Sequence, residues 1–332
     1  MKMHHLTHAQ RAERWLGAEC LSQIIDGSRG LYAAIPILNT PGAVFAYDGE
    51  IYGAIQGGTG FSSLSDLISE ATTGGKRQDI LFNKAGSLTV TAAWSSLWNV
   101  GAFPPAGGAP TAIPGGAVPT NATSGSFKQV DAAGSDTLHF TTAYMFGTAS
   151  PTTLLLYDRI FHAGSVQHNT TGAQAVSGVP TRYATTTSGG NFAFLEVTTV
   201  LGATAQTVTM TYVDQDGNTA EAAAALTVIA SSAVTRIPHT PYFIPLNATD
   251  IGLRNITNLA FSAASTGVSN IVIGHPLAFL PNSVANVPQI VDGINSAFNL
   301  VKVVNGACIA MLDIRGTASA TTYTGQVILV SG

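Results

Sequence analysis

The densest group of side chains able to do chemistry is Asp158, Arg159 and His162, with His168 a little further on. A histidine beside a carboxylate could act as a general base, and Glu196 would complete a hydrolytic trio with Asp158 and His162. No G-x-S-x-G nucleophile elbow accompanies them. We therefore read Asp158 and Arg159 as a buried ion pair locking one strand end. His4, His5 and His8 could share a zinc ion if they stood one helical turn apart. The helix they would need starts only near His8, and no acidic or thiol partner is close, so a flexible terminus is the reading. Asp214-Gln215-Asp216-Gly217-Asn218 has the look of a calcium loop but lacks the third ligand before its glycine and the later glutamate. It is read as a hairpin turn. Gly57-Gly58-Thr59-Gly60 precedes a helix and could seat an anion on free N–H groups. Without a lysine to complete a phosphate loop, it is read as a flexible entry. No catalytic constellation, cofactor site or metal site emerges, and the expectation is a protein that is not an enzyme.

Composition points the same way. The 332 residues are 10% charged, against roughly a quarter in an ordinary soluble domain. Between Lys84 and Lys128 run 43 residues with no Asp, Glu, Lys, Arg or His, and from Asn255 to Val291 another 37 hold only His275. Catalysts and phosphate clamps gather ionisable groups; a charge-poor surface suits lying against other protein. A net charge of -4 with 14 basic residues spread along the chain gives no face for a phosphate backbone, so no nucleic acid is expected. Mean hydropathy is +0.27, yet the longest strongly apolar segment, Ala222 to Ala230, is far below the roughly 20 residues of a spanning helix. A soluble protein with no membrane partner is expected. The first residues lack the apolar core of a secretory signal. Cys20 and Cys308, with no C-x-x-C partner, are read as buried free thiols of a protein made in a reducing cytoplasm.

The elements that must hold these residues begin with a helix. Thr7 and Gln10 form a capping box, Ala12, Leu16, Cys20 and Ile24 make one apolar stripe, and Asp26-Gly27 is the stop. A second helix is predicted over 64–71, with Ser63 and Asp66 at its start and Gly74-Gly75 after it. Short strands broken by Pro36, Pro41 and Gly49 fill Tyr32 to Ile55. From Phe103 to Gly125 the chain is Pro, Gly, Ala and Thr, which builds neither helix nor central strand and reads as a linker or extended arm. The later texture is β. Residues 207–213 alternate Val208, Met210 and Tyr212 against threonines, Asp216-Gly217 turns, and Ala220 to Val228 alternate on the way back. Further strands are predicted at 138–146, 191–201, 259–262, 271–273, 307–314 and 323–330.

The predicted fold is mainly β: an antiparallel β-sandwich of jelly-roll or immunoglobulin-like type, with a small N-terminal α/β region and an extended Pro/Gly-rich arm. The domains expected are residues 1–100, the arm 101–125, and a body 126–332 that is one sandwich or two divided near 231–245. Candidate interface residues are Trp94, Trp98, Phe103, Pro104, Pro105, Pro110, Pro114 and Pro119, on an arm expected to be mobile in isolation and covered by another chain in the working particle.

Several stretches in order resemble a group of tailed-bacteriophage virion structural proteins. They are Tyr157-Asp158-Arg159-Ile160-Phe161-His162-Ala163-Gly164, the residues from Leu195 to Thr204, and the hairpin ending in Gln215-Asp216-Gly217. Ile244-Pro245-Leu246, Asp250-Ile251-Gly252-Leu253-Arg254 and His275-Pro276-Leu277-Ala278 continue the match over about residues 150–332. The resemblance implies a capsid-associated protein in the virion, a cement or decoration protein contacting the major capsid protein, or another head or tail part. A homo-oligomer, a trimer by preference, is expected. The rivals are a tail or baseplate subunit, a carbohydrate-binding sandwich using Tyr183, Phe192, Tyr242 and Phe243, and a hydrolase using the trio above.

Overall fold

Alternating apolar and hydroxyl-bearing residues, punctuated by Gly, Pro and Asn, favour short antiparallel strands. The computed structural model bears this out. It describes residues 45–47, 50–52, 60–86, 94–183, 190–228, 237–294, 300–317 and 319–332. The predicted helix over Thr7 to Ile24, the three N-terminal histidines, Cys20 and Gly57 to Thr59 lie outside the described residues.

The chain divides into two units, Met1–Gly75 with Gly332, and Lys76–Ser331. In the first, β1 (Phe45–Tyr47) and β2 (Glu50–Tyr52) form a hairpin, and α1 spans Leu64–Thr72. As predicted, Ser63 caps the helix, its hydroxyl accepting the Asp66 N–H at 3.0 Å. The chain leaves through Gly75, whose φ of 68° only glycine adopts freely.

The second unit holds the other strands: β3 (Arg77–Ala85), β4 (Trp94–Ser96), β5 (Ala102–Phe103), β6 (Leu138–Gly147), β7 (Thr152–Gln167), β8 (Gln174–Ala175) and β9 (Phe192–Thr199). The hairpin follows with β10 (Gln206–Asp214), β11 (Glu221–Ala222) and β12 (Leu226–Val228), then β13 (Pro241–Ile244), β14 (Leu253–Phe261) and β15 (Val268–Asn282). The last are β16 (Gln289–Asp292), β17 (Lys302–Val303), β18 (Ile309–Arg315) and β19 (Thr322–Ser331). A central sheet has the order β13-β9-β15-β7-β18-β4. The first flanking sheet runs β16-β6-β19-β3-β5 with β17 beside β6, and the second runs β11-β10-β14-β8 with β12 beside β10.

Two long strands make this one body. β7 and β15 pair from Thr152↔Asn282 to Gln167↔Val268, roughly 50 Å at 3.3 Å per residue. Their Leu154, Leu156, Ala278 and Leu280 pack with Phe82, Phe140, Met145 and Val327 of the first flanking sheet. Further along, Phe161, Ala163, Ile271 and Ile273 pack with Val208, Met210, Tyr212 and Leu259 of the second. The other face of the central sheet buries Leu155, Tyr157, Phe194, Val272 and Leu312 with Trp98. The body is thus two sandwiches that share one sheet.

The expected boundaries change accordingly. Residues 101–125 do not link two bodies, because β3 and β5 lie in the same sheet as β6 and β19. Sequence reading also missed β3 and β7, and found β15 only as residues 271–273. Pro276 and Pro281 suggested breaks there. β9 covers β15 only from Val268 to Gly274, so both prolines sit where β15 has β7 on one side and no described strand on the other. Proline is tolerated at such an edge, and a register shift falls between Pro276 and Ala278. The Asp216-Gly217 hairpin forms as predicted, with Tyr212 opposite Glu221 and Val208 opposite Leu226. Its return strand is interrupted between Ala222 and Leu226.

Candidate interaction surface

Adjacent residues of a strand point to opposite faces, so Asp158 and Arg159 do not pair with each other; that expectation is corrected. Asp158 takes two 2.8 Å bonds from Arg182 and the backbone N–H of Cys308, also at 2.8 Å. Arg159 faces the other way and grips Glu196 of β9 with NH2 to Oε2 at 2.9 Å and NH1 to Oε1 at 3.2 Å. Its Nε donates to His162 Nδ1 at 3.0 Å, and its guanidinium lies 4.5 Å over the Trp98 ring. Glu196 also accepts from Asn270 at 2.9 Å and from the Ser96 hydroxyl. Burial alone would raise the Glu196 pKa, but Arg159 outweighs it and holds the carboxyl at about 2. Burial, and then the Arg159 charge, pull His162 down to about 3, while burial pushes the Cys308 thiol up to about 12.

The hydrolytic trio is therefore divided between two faces of β7, His162 and Glu196 on one and Asp158 on the other, and each member is occupied. His162 accepts a bond from a guanidinium, where a catalytic base would accept one from a nucleophile, and Asp158 and Glu196 are 0% exposed. His168 is fixed between Gln206 at 2.9 Å and Ser269 at 2.8 Å. Asp214 accepts the N–H groups of Asp216 and Asn218, the bonds of a turn. The aromatics proposed for carbohydrate pack inward: Tyr183 stacks on His275 with centroids 3.8 Å apart, and Phe192 and Phe243 pack with Phe194. Tyr242 packs against the second core.

The Pro/Gly-rich stretch is not free. Lys84, before it, donates to the carbonyls of Val100 and Pro105 at 2.5 and 3.4 Å. Lys128, after it, donates to those of Asn121 and Thr123 at 3.0 and 2.9 Å. Between them Ile113 and Ala117 bond β7 at Gly164 and His162, and Arg182 binds the Pro119 carbonyl at 2.8 Å. The expected mobile arm is a strap on its own body, because its lone carbonyls find donors in that body. Trp98 is 1% exposed under this strap, with its Nε1 on the Gly108 carbonyl at 3.3 Å. Pro104 and Pro119 are buried, and Pro110 and Trp94 are half-buried; Trp94 lies edge-on to Phe243 at 4.7 Å. Phe103, Pro105 and Pro114 remain exposed.

A different surface carries a row of open apolar groups. On the outer face of the first flanking sheet, Ile290, Tyr144, Gln326 and Leu81 stand opposite one another across four strands. Ile290 is 69% exposed, Leu81 59% and Tyr144 40%. The neighbouring row is Asp292, Thr142, Ile328 and Asp79. On the other side stand Phe146, Thr324 and Asn83, with Phe103 of β5 beside Asn83. Two charges of this face close on each other: Arg77 NH2 lies 2.7 Å from Asp79, which also accepts from the Gln326 amide. Sequence reading missed this row. Its signal was present in Ile80-Leu81-Phe82 and Tyr144-Met145-Phe146, because three apolar residues running in a strand with one buried face must put at least one outside.

No protein-family model matches the sequence, and no curated protein matches it. Among solved structures, a chain in the structure of infectious bursal disease virus Gt strain is 11% identical, with 77% of this chain and 80% of that chain covered and a TM-score of 0.15. The mutant VP2 protein of infectious bursal disease virus in derived T=1 particles is 8% identical, with 77% and 78% covered and a TM-score of 0.16. TM-scores of this size carry no argument about fold or function.

Proposed function

We propose that the chain is a non-enzymatic structural subunit of a virion, of the tailed-bacteriophage kind that residues 150–332 resemble. Within it, the chain acts as a capsid cement or decoration protein that stabilises the head by contacts with the major capsid protein. The observation that carries this reading is the exposed row of Leu81, Tyr144 and Ile290 on a broad sheet. The ionisable cluster best placed for chemistry is meanwhile spent on internal bonds, with Arg159, Asp158 and Glu196 fully buried.

The mechanism is burial. Each Å² of apolar surface removed from water contributes about 25 cal/mol, and a row that carries no charge of its own brings little desolvation cost to the contact. Repetition across a lattice multiplies modest contacts through effective concentration. Imaging of particles carrying a tag on this chain tests the reading: density on the outside of the head is expected. Density in a tail or baseplate would replace the cement role by the alternative structural one, and absence from particles would overturn both.

A further inference from the structure

We propose that the outer face of the first flanking sheet is a homotypic contact, packing on the same face of a second copy about a two-fold axis along the Leu81–Gln326–Tyr144–Ile290 row. This deepens the reading above by naming a partner for its exposed face, and it rests on that reading only in taking the chain to work by protein contact.

The choice of partner follows from charge. Arg77 and Asp79 neutralise each other at 2.7 Å, and the Leu81–Gln326–Tyr144–Ile290 row itself holds no charge to attract a basic or an acidic partner. The apolar row would also desolvate any charge set against it. A charge-poor surface is needed, and this chain, with 10% charged residues, supplies one. Two sheets stacked about 10 Å apart, with strands aligned to within about 30°, can interdigitate their side chains.

Charge also chooses between the two-fold arrangements. Asp79 and Asp292 close opposite ends of one row, through Ile328 and Thr142. An axis parallel to the strands reverses the rows and sets Asp79 of one copy over Asp292 of the other, carboxylate on carboxylate. An axis along the Leu81–Ile290 row sets each residue of that row over itself. It carries the Asp79–Ile328–Thr142 row onto Asn83–Thr324–Phe146 of the second copy. Asp79 then meets an amide: Asn83 Nδ2 donates one hydrogen to Thr324 Oγ1 at 2.7 Å and has a second to give. Leu81, Tyr144 and Ile290 meet their own copies on the axis, which is the arrangement of an isologous interface. The contact makes a dimer; the trimer preferred from the sequence would need another face.

Sedimentation of the full chain over a concentration series tests this. A reversible dimer is expected. Leu81→Lys and Ile290→Lys each place two like charges together on the axis and should weaken it roughly 100-fold or more, with an unchanged melting temperature showing that the fold is intact. In a Cys20→Ser background, Leu81→Cys should cross-link to itself under mild oxidation, whereas Val179→Cys, also exposed, should not. A chain that stays monomeric at its highest soluble concentration, or a dimer that survives both lysine variants, overturns the contact. A monomer whose lysine variants leave the particle shows that a different protein covers the face; it sinks this proposal and leaves the virion role standing. A dimer with these properties from a chain absent from particles does the reverse.

Discussion

At Arg159 the protein places an ion pair where an ordinary core has leucine, and at Leu81 and Ile290 it places aliphatic side chains where an ordinary outer sheet has lysine or glutamate. The first region is closed: Arg159, Glu196, Ser96 and Asn270 satisfy one another. The second is open, with its rows complete but nothing described above them. A buried pair brings little net stability and much geometric demand, so its value is in fixing β7 against β9 under Trp98. An exposed aliphatic row adds nothing to the monomer and gains only when covered. The contrast shows where to look for function in a charge-poor protein: in the surface that its own packing leaves unused.

The sharpest way to break the comparison is to remove one side of the closed region. Arg159→Met leaves Glu196 buried with only neutral partners, and a loss of about 3–5 kcal/mol is expected in urea unfolding. Arg159→Met with Glu196→Leu should recover much of it; a single variant within about 1 kcal/mol of the parent would show that the pair is not isolated from water.

Acid should act next. Burial holds His275 at about 4, and burial with Arg159 holds His162 at about 3, both below the ordinary 6.5. The folded state keeps them neutral while the unfolded chain takes up protons below about pH 6.5. Their contribution is therefore complete above that pH and drains away as pH falls towards 4 and 3, up to about 3 kcal/mol for His275 and about 5 kcal/mol for His162. Glu196 adds a further loss from about pH 4.5 towards 2. Denaturant midpoints across pH 4 to 7 test this; a flat profile would contradict neutral, buried histidines.

A smaller effect belongs to the strap. Burial lowers Lys84 to about 8, so between about pH 8 and 10.5 the unfolded chain holds the extra proton and stability should rise with pH by about 3 kcal/mol. Lys84→Met should abolish that rise. The smallest effect on stability marks the open region: Leu81→Lys or Ile290→Lys should change unfolding by no more than about 0.5 kcal/mol while abolishing self-association. A large loss of stability in either would mean that the row is part of the monomer's own packing.

What could be read from sequence was what short range decides. α1 is set by Ser63 and Gly75, and the β10–β12 hairpin by the alternation of 207–213 and the Asp216-Gly217 turn. β7 is hidden because both of its faces are buried, which erases alternation, and because Asp158, Arg159 and His162 interrupt its apolar run with ionisable groups. The partners of those residues, Arg182 and Glu196, are 24 and 37 residues away, beyond any local pattern. The strap was misread for a related reason: composition excludes regular structure from 103–125 but does not say which donors meet its carbonyls. The exposed row needed register, since Leu81, Gln326, Tyr144 and Ile290 become neighbours only once four strands are aligned.

The position of β19 carries one more consequence. It lies between β3 and β6, and the bond from Asn83 to Thr324 spans 241 residues. Phe82 and Met145 cannot be sealed under a finished sheet until the ribosome has delivered the strand that joins them. Contacts of such high order form slowly, and unpaired strand edges invite association with neighbouring chains in the interval. The absence of Asp, Glu, Lys and Arg from β6 and β19 removes the repulsion that would keep nascent copies apart. Recovery of folded protein should therefore depend steeply on the rate and temperature of synthesis.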